Sequence, residues 1–429
     1  MDLPLIKKSW NKNINKLAIV YPNLKYGGSY SLAPLIIYNL VNSYKNWICE
    51  RFFLDQNNLK DYNLIGFTFQ YELDYYNFFK ILKQNNISLN KNRTQIVFAG
   101  GPCINQNPST LSKYLDFMCL GEIENIMPLI LKEYEKNNNK QIFLKNISKI
   151  PGIYIPELNK PTFNNVKNLD NYQYPLYQPF PENITKDYVF GKVFILEIER
   201  GCPFNCAFCP IHTFYPIVKY RSLENIKKII DQGISINQRD KVVIYSPSFT
   251  HPQRKEILKY LISKNLKFSV PSLKIELIDE ELLSLIKKSS QKTLTIAPEC
   301  NESLRYNIGK PVKDNLFFEF AKLASKLQFK TIKLYFMIGL PNQTEKDLDE
   351  MIIFINKMKS LFKNLYISIN PFVPKPNTAF SNHIFDKKII KQQINYLKKH
   401  LKVKFKIPNL ELSYKEYKLA NLKEIKERN

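Results

Sequence analysis

The sequence predicts an α/β protein of two modules, an N-terminal doubly wound, Rossmann-like domain and a partial (β/α)6 barrel, ending in a short basic C-terminal extension. Three observations predict it. Short apolar runs alternate with helical stretches from Lys16 to about Lys136, a proline- and aromatic-rich segment then interrupts the beat, and from Val189 six further strand–helix repeats run to about residue 375. A length of 429 residues exceeds one ordinary small domain, and 44% hydrophobic against 24% charged content excludes a largely disordered chain. The boundaries expected are 1–136, 137–187, 188–380 and 381–429.

In the first module LAIVYPN reads as a strand ending in a loop, and LKYGGSYS leads into the helical spacing of APLIIYNLVNSY. LIGFTFQ, TQIVFAGGP and DFMCL supply further strands, with helices over YYNFFKILKQN and after the Gly-Glu turn at 121–122. Sheets of this kind bind ligands at the carboxyl ends of their strands. The candidate residues there are Gly27, Gly28, Ser29, Gln70, Tyr71, Glu72, Gly100, Gly101, Pro102, Gly121 and Glu122. Five of the chain's 12 glycines fall in this set, where a close approach to a ligand or a positive φ needs them; ordinary turns are the alternative. Residues 137–187 carry prolines whose spacing forbids long helices, so an extended linker with room for one small hairpin is expected.

In the second module VFILEIERGC, KVVIYSPS, KFSVPSL, TLTIAPE, TIKLYFMIGLP and LYISINPFVP read as strands separated by amphipathic helices, with the chemistry on the loops after the strands. The tail reads as a basic helix, a short strand and a final helix. Aromatic residues, 13% of the chain, are mostly core; Tyr71, Tyr335 and Phe372, near strand ends, are candidates to shield or orient a substrate.

The balance of 63 Lys and Arg against 38 Asp and Glu, a net +25, suits an anionic partner such as nucleic acid. Yet only eight of these cations are Arg and no block of consecutive cations forms an arm, so the excess reads as solvated surface. No apolar run approaches the ~20 residues of a membrane helix, and the start MDLPLIKKSWNKN lacks the apolar core of a signal peptide. No membrane association and a cytoplasmic location are expected.

Seven cysteines, an odd number, argue against a disulfide framework. Cys49, Cys103, Cys119 and Cys300 lie in apolar surroundings and read as small buried hydrophobes. Cys202, Cys206 and Cys209 form a CxxxCxxC spacing on the loop after the first barrel strand. Three thiolates on one tight loop suit three corners of an iron–sulfur cube and leave a fourth iron without a protein ligand. Zinc is the alternative, with His212 as the nearest further ligand.

With Phe208 before the last cysteine, this motif resembles the signature of the radical S-adenosylmethionine (radical SAM) superfamily. The resemblance implies a 4Fe-4S cluster on Cys202, Cys206 and Cys209, whose open iron binds S-adenosylmethionine and whose electron cleaves it to a 5′-deoxyadenosyl radical. LTIAPECNESLRYNIGK, KLYFMIGLPNQTEKD and NPFVPKPNTAF, with YPN, GFTFQYE, AGGP and LGEIE, resemble one subgroup over roughly residues 16–380, the enzymes with an N-terminal cobalamin-binding-like domain related to methylthiotransferase and Elongator-type families. By that resemblance the Phe208 backbone meets the adenine, and Glu299 and Arg305 meet the polar end of S-adenosylmethionine, an intramolecular salt bridge at a helix start being the alternative for both. Ser269 and Ser272, at the end of the third strand, are placed either to touch the ribose or to cap the loop. The second strand ends IYSPSF in place of the usual Gly-Gly-Glu, which leaves Ser246, Ser248 or a backbone carbonyl for the amino group. The N-terminal module holds none of the four histidines, at 212, 251, 383 and 400, so the subgroup's Asp-x-His-x-x-Gly cobalt-ligand motif is absent.

The resemblance implies an enzyme of the class B radical methylase type, transferring a methyl group from cobalamin to an unactivated carbon of a protein, an RNA or a small molecule. It further implies a ferredoxin- or flavodoxin-like electron donor. The alternatives are a cobalamin-independent RNA-modifying enzyme related to methylthiotransferases, which the charge favours, and a non-catalytic iron–sulfur scaffold or maturation protein.

Overall fold

The computed structural model describes residues 14–137, 139–289 and 291–426. The opening MDLPLIKKSWNKN, read above for a signal peptide, lies outside the described residues. The chain divides into two compact units, the first Met1–Ile195, Ile229–Arg239 and Leu419–Asn429, the second Leu196–Lys228 and Asp240–Lys418.

In the first unit the strands β1 (Asn15–Val20), β2 (Trp47–Phe52), β3 (Leu64–Thr68), β4 (Ile96–Gly100), β5 (Phe117–Cys119) and β6 (Ile153–Tyr154) stand in the order β2-β1-β3-β4-β5-β6. The first five are parallel and β6 runs antiparallel to β5. Both faces are buried, because alternate residues serve different cores: Leu17 and Ile19 of β1 pack with Trp47, Phe98 and Phe117, while Ala18 and Val20 pack with Phe67, Phe69 and Phe78. The strand order reverses between β1 and β3, where such a sheet opens a crevice at its carboxyl edge. The loop after β1 is tied there to the helix Asp74–Gln84 that follows β3, Asn23 Nδ2 donating to Asp74 Oδ1 at 2.7 Å and Asn77 Nδ2 to the Pro22 carbonyl at 2.8 Å.

Two elements of this unit depart from the sequence reading. β2 falls in NWICERFF, where Glu50 and Arg51 break the apolar run; Arg51 is nonetheless buried, donating to the Pro179 carbonyl at 2.9 Å and lying over the Tyr38 and Phe53 rings. The segment expected to be an extended linker opens with a helix, Lys140–Ile147. Asn139 caps it by accepting the Gln141 and Ile142 N–H groups, Phe143 and Ile147 are fully buried, and β6 then joins the sheet. The end of the chain also belongs to this unit: Leu419 and Ile425 enter its core, and the Leu422 carbonyl accepts from Asn107 and Thr110.

The second unit carries β7 (Phe194–Glu197, whose first two residues fall in the other unit), β8 (Glu199–Arg200), β9 (Lys219–Tyr220), β10 (Lys241–Tyr245), β11 (Lys267–Ser269), β12 (Thr293–Glu299), β13 (Thr331–Ile338), β14 (Leu365–Pro371) and β15 (Phe405–Lys406). One sheet has the order β11-β10-β7 and another the order β12-β13-β14-β15, the latter all parallel. β7 and β10 to β14 are the six expected barrel strands, and β15 comes from the basic extension. β12 and β13 alternate buried and half-buried residues along their length; Phe336 of β13 packs on Phe354 of the helix Glu345–Leu361, so the half-buried set faces away from that helix, on the concave side. Among the described residues no helix is long and apolar enough to cross a membrane.

Burial pushes the Asp74 carboxyl up from 3.8 to about 6, against the pull of its Asn23 and Asn77 hydrogen bonds. The folded state therefore binds more protons than the unfolded one between those values, and stability falls as pH rises through that window, staying lower above it. Asp74→Asn is expected to remove that fall and to be the more stable form at neutral pH by about 2 kcal/mol, read by urea denaturation across the window.

Candidate functional site

The loop from Gly201 to Val218 leaves the end of β8 and returns at β9, and the antiparallel pairs Glu199 with Tyr220 and Arg200 with Lys219 close its base. Arg200 and Arg221 both reach the buried Glu197 carboxylate, at 3.0 and 3.2 Å. Inside the loop the Cys209 N–H donates to the Cys206 carbonyl at 3.0 Å, and the Ala207 N–H donates to the Ile308 carbonyl at 2.9 Å. The turn that follows the helix Glu302–Asn307 thus backs the loop. At Gly309, φ 73°, an added Cβ would lie 2.8 Å from the Asn205 carbonyl oxygen, so glycine is required both by conformation and by space.

Cys206 is buried and Cys202 and Cys209 are half-buried, and their charges act on one another. Burial pushes the Cys206 and Cys209 thiols up; the Lys274 ammonium pulls both down, as Lys310 does Cys206 and the Ile211 N–H does Cys209. Lys274 Nζ lies 4.3 Å from the Phe204 ring centre, and Lys310 Nζ lies 3.0 Å from Glu299 Oε1 with both side chains largely buried. Among the described residues no three His, Cys, Asp or Glu side chains, the three cysteines and His212 included, are gathered as a group that could hold a metal ion. A four-iron cube seats each thiolate on a different iron, and three cysteines sharing one backed loop fit that demand. His212 Nδ1 is buried without a hydrogen-bond partner among the described residues.

The residues expected to hold S-adenosylmethionine divide. Phe208 packs against the cluster of Cys300, Leu304, Ile308, Leu340 and Phe372, beside Met337 and Phe380, at the carboxyl ends of β12 to β14. Ser269 ends β11 half-buried, its hydroxyl without a hydrogen-bond partner among the described residues. Glu299, at φ 69° after a bulge in β12, stands in the pair with Lys310 beside Cys206. Arg305 is corrected. It is fully buried and donates to the carbonyls of Pro298 at 2.8 Å, Cys300 at 2.7 Å and Val312 at 2.6 Å and to Asp314 at 2.9 Å, with Phe317 under its guanidinium. Four of its five N–H groups are engaged, which leaves no fork for a ligand carboxylate. Ser246 is corrected too, since its hydroxyl donates to Glu199 and accepts the Ser248 and Phe249 N–H groups, filling the lone pairs an ammonium would need.

The strand-end set of the first unit also divides. Gly28, Ser29, Glu72 and Glu122 are buried: a Cβ on Gly28 would strike the Phe53 and Tyr21 rings at 2.5 and 2.7 Å, Ser29 Oγ donates to the Lys25 carbonyl, and Glu122 accepts the Val166 N–H. Gly101 and Gly121 have φ of 101° and 91°, and a Cβ there would meet the carbonyl oxygens of Phe69 at 2.7 Å and Asn164 at 2.0 Å. These glycines answer to the chain's own packing rather than to a ligand. Gly27, Gln70, Tyr71, Gly100, Gly101, Pro102 and Gly121 stay half-buried or exposed. They offer backbone groups, one amide and one aromatic ring and no imidazole, which fits a corrin held by packing and hydrogen bonds rather than through cobalt.

Lys274, Lys310 and Glu199 were not singled out by sequence. The two lysines are lost among a general excess of Lys, and Glu199, 1% exposed, is recognisable only once its carboxylate is seen to accept the Thr250 N–H and the Ser246 hydroxyl.

The family described as radical SAM proteins, N-terminal, matches residues 34–156, and the radical SAM superfamily matches residues 196–355. The chain is 32% identical to an uncharacterized protein of Methanocaldococcus jannaschii, MJ0966, over 91% of its own length and 84% of the relative's. It is 25% identical to the ribosomal protein uS12 methylthiotransferase RimO of Petrotoga mobilis, over 50% of this chain and 52% of that protein. Its fold matches that of the radical S-adenosylmethionine methyltransferase TsrM from Kitasatospora setae, solved with cobalamin and a 4Fe-4S cluster bound, with a TM-score of 0.61, 14% identity, and 83% and 75% of the two chains covered.

Arg305→Ala is expected to destabilise the protein by about 3 kcal/mol, because three buried carbonyls and Asp314 lose their donor, and Arg305→Lys is expected to recover little of it. Denaturant titration of both variants checks this. Gly309→Ala is expected to fold yet to bind less iron than the wild type after anaerobic reconstitution, since the Asn205 backbone must move to admit the methyl group.

Proposed function

The chain belongs to the radical SAM superfamily, and from that premise we propose that this enzyme is a cobalamin-dependent C-methyltransferase of the class B type. Cys202, Cys206 and Cys209 hold the cluster, and the observation that carries the reading is their backed loop beside the Glu299–Lys310 pair. When bound, the cluster supplies one electron to cleave S-adenosylmethionine, and cobalamin supplies the methyl group. The reaction class is hydrogen abstraction from a substrate carbon by the 5′-deoxyadenosyl radical followed by methylation of that carbon.

The chain's own residues bind and orient. Glu299 and Lys310 offer one carboxylate and one ammonium to the ammonium and carboxylate of S-adenosylmethionine, taking the part first given to Arg305. The open hydroxyl of Ser269 takes a ribose hydroxyl, and the Phe208 backbone meets the adenine. The apolar wall of Phe208, Met337, Phe372 and Phe380 keeps water from a radical formed there. Gly27, Gln70, Tyr71, Gly100, Gly101, Pro102 and Gly121 hold the corrin without a histidine ligand. A ferredoxin- or flavodoxin-like donor, acidic where this chain is basic, delivers the electron. The second reading, radical chemistry without cobalamin in the manner of a methylthiotransferase, draws support from the RimO relative and from the +25 charge.

Anaerobic purification after cobalamin-supplemented expression, with iron, sulfide and cobalt counted per chain, separates the two. Cobalt bound alongside the cluster is expected; a full cluster with no cobalt after reconstitution with hydroxocobalamin would move the second reading to the front. Cys206→Ala is expected to lose the brown cluster absorbance and all 5′-deoxyadenosine formation. Intact cluster in the wild type with no 5′-deoxyadenosine under reducing conditions would leave only a scaffold role. Lys310→Met is expected to keep the cluster and to weaken S-adenosylhomocysteine binding by about tenfold.

A further inference from the structure

The concave side of the β12-β13-β14 sheet does not present on β12 and β13 the branched aliphatic side chains that pack the interior of a complete barrel. Its half-buried residues are Thr293, Thr295 and Ala297 on β12 and Thr331, Lys333, Tyr335 and Met337 on β13. The register sets Lys333 directly between Thr295 and Tyr366. Lys333 Nζ lies 4.6 Å from the Tyr335 ring centre and 5.3 Å from that of Tyr366. The strand carboxylates nearest the cysteine loop are already paired, Glu197 with Arg200 and Arg221 and Glu299 with Lys310. Among the described residues Lys333 has no carboxylate partner at all. Lys333 is half-buried and the Tyr366 ring beside it is 42% exposed, so the ammonium stays reachable from water, and with no carboxylate against it an anion can take that place.

We infer that Lys333, flanked by Tyr335, Tyr366 and Thr295, is the anchor for an oxyanion, a carboxylate or phosphate, carried by a small-molecule substrate. Placement gives the substrate a length. Lys333 precedes Met337 by four residues on one strand, so the anchor lies about 13 Å below the level at which Met337 packs with Phe208. The substrate is therefore elongated, with its charged group at the Lys333 end and its reacting carbon near the cysteine loop; this last step rests on the proposed function, whereas the anion site does not.

Isothermal titration of the reconstituted holoenzyme with inorganic phosphate and, separately, with succinate tests the anchor. The wild type is expected to bind at least one of the two, Lys333→Met to weaken it by about tenfold, and Lys333→Arg to keep it. Whichever probe binds more tightly identifies the oxyanion. Thr295→Val, which conserves shape, is expected to give a smaller loss in the same direction and serves if Lys333→Met does not fold. Cluster absorbance and S-adenosylhomocysteine binding are read on every variant and are expected to be unchanged. Equal probe affinity in wild type and Lys333→Met, or no binding of either probe to the wild type, overturns the anchor. A wild type that binds a probe through Lys333 but neither holds a cluster nor binds S-adenosylhomocysteine overturns the proposed function and leaves the anchor standing. Retention of a tRNA transcript that Lys333→Met loses would overturn the small-molecule assignment.

Discussion

One backbone hydrogen bond, from Ala207 to the Ile308 carbonyl, ties the cysteine loop to the turn on which the rest of the site depends. It forms only because Gly309 has no side chain to strike Asn205. Behind it sits Arg305, whose guanidinium ties Pro298, Cys300, Val312 and Asp314 into one turn and whose own carbonyl accepts the Lys310 N–H at 3.0 Å. That turn in turn places Lys310 against Glu299 and both beside Cys206. A buried cation thus acts at one remove: it shapes the turn that backs the cysteine loop, while a second, Lys310, is held against the Ala297 carbonyl and Glu299 beside that loop.

Much of this fold is legible in sequence, for a local reason. The six barrel strands carry short apolar runs bounded by turn residues, and the three cysteines lie within eight positions, so neither requires knowledge of distant contacts. What escaped depends on partners far along the chain. Arg305 looks like a helix residue free to reach a ligand until the carbonyls around it are known. Ser246 looks like an open strand-end hydroxyl until Glu199, 47 positions away, is found against it. The helix Lys140–Ile147 hides behind a run of asparagines, one of which is its cap, and β2 hides because a buried arginine interrupts it.

The first unit teaches a related point about glycine. A cluster of glycines at strand ends predicts a place where the backbone is approached closely, but not by what. Here Gly28, Gly101 and Gly121 are approached by Phe53 and by the Phe69 and Asn164 carbonyls of the same chain. The case for a corrin rests instead on the reversal of strand order at β1 and β3 and on the half-open residues around it.

The central claim is that three cysteines on a backed loop leave one iron of a four-iron cluster open to S-adenosylmethionine. The electron paramagnetic resonance spectrum of the reduced, reconstituted protein, recorded with and without S-adenosylmethionine, tests it most directly. A spectrum that changes on addition of S-adenosylmethionine is the result this account predicts. A cluster signal that forms fully and stays unchanged at saturating S-adenosylmethionine would contradict it.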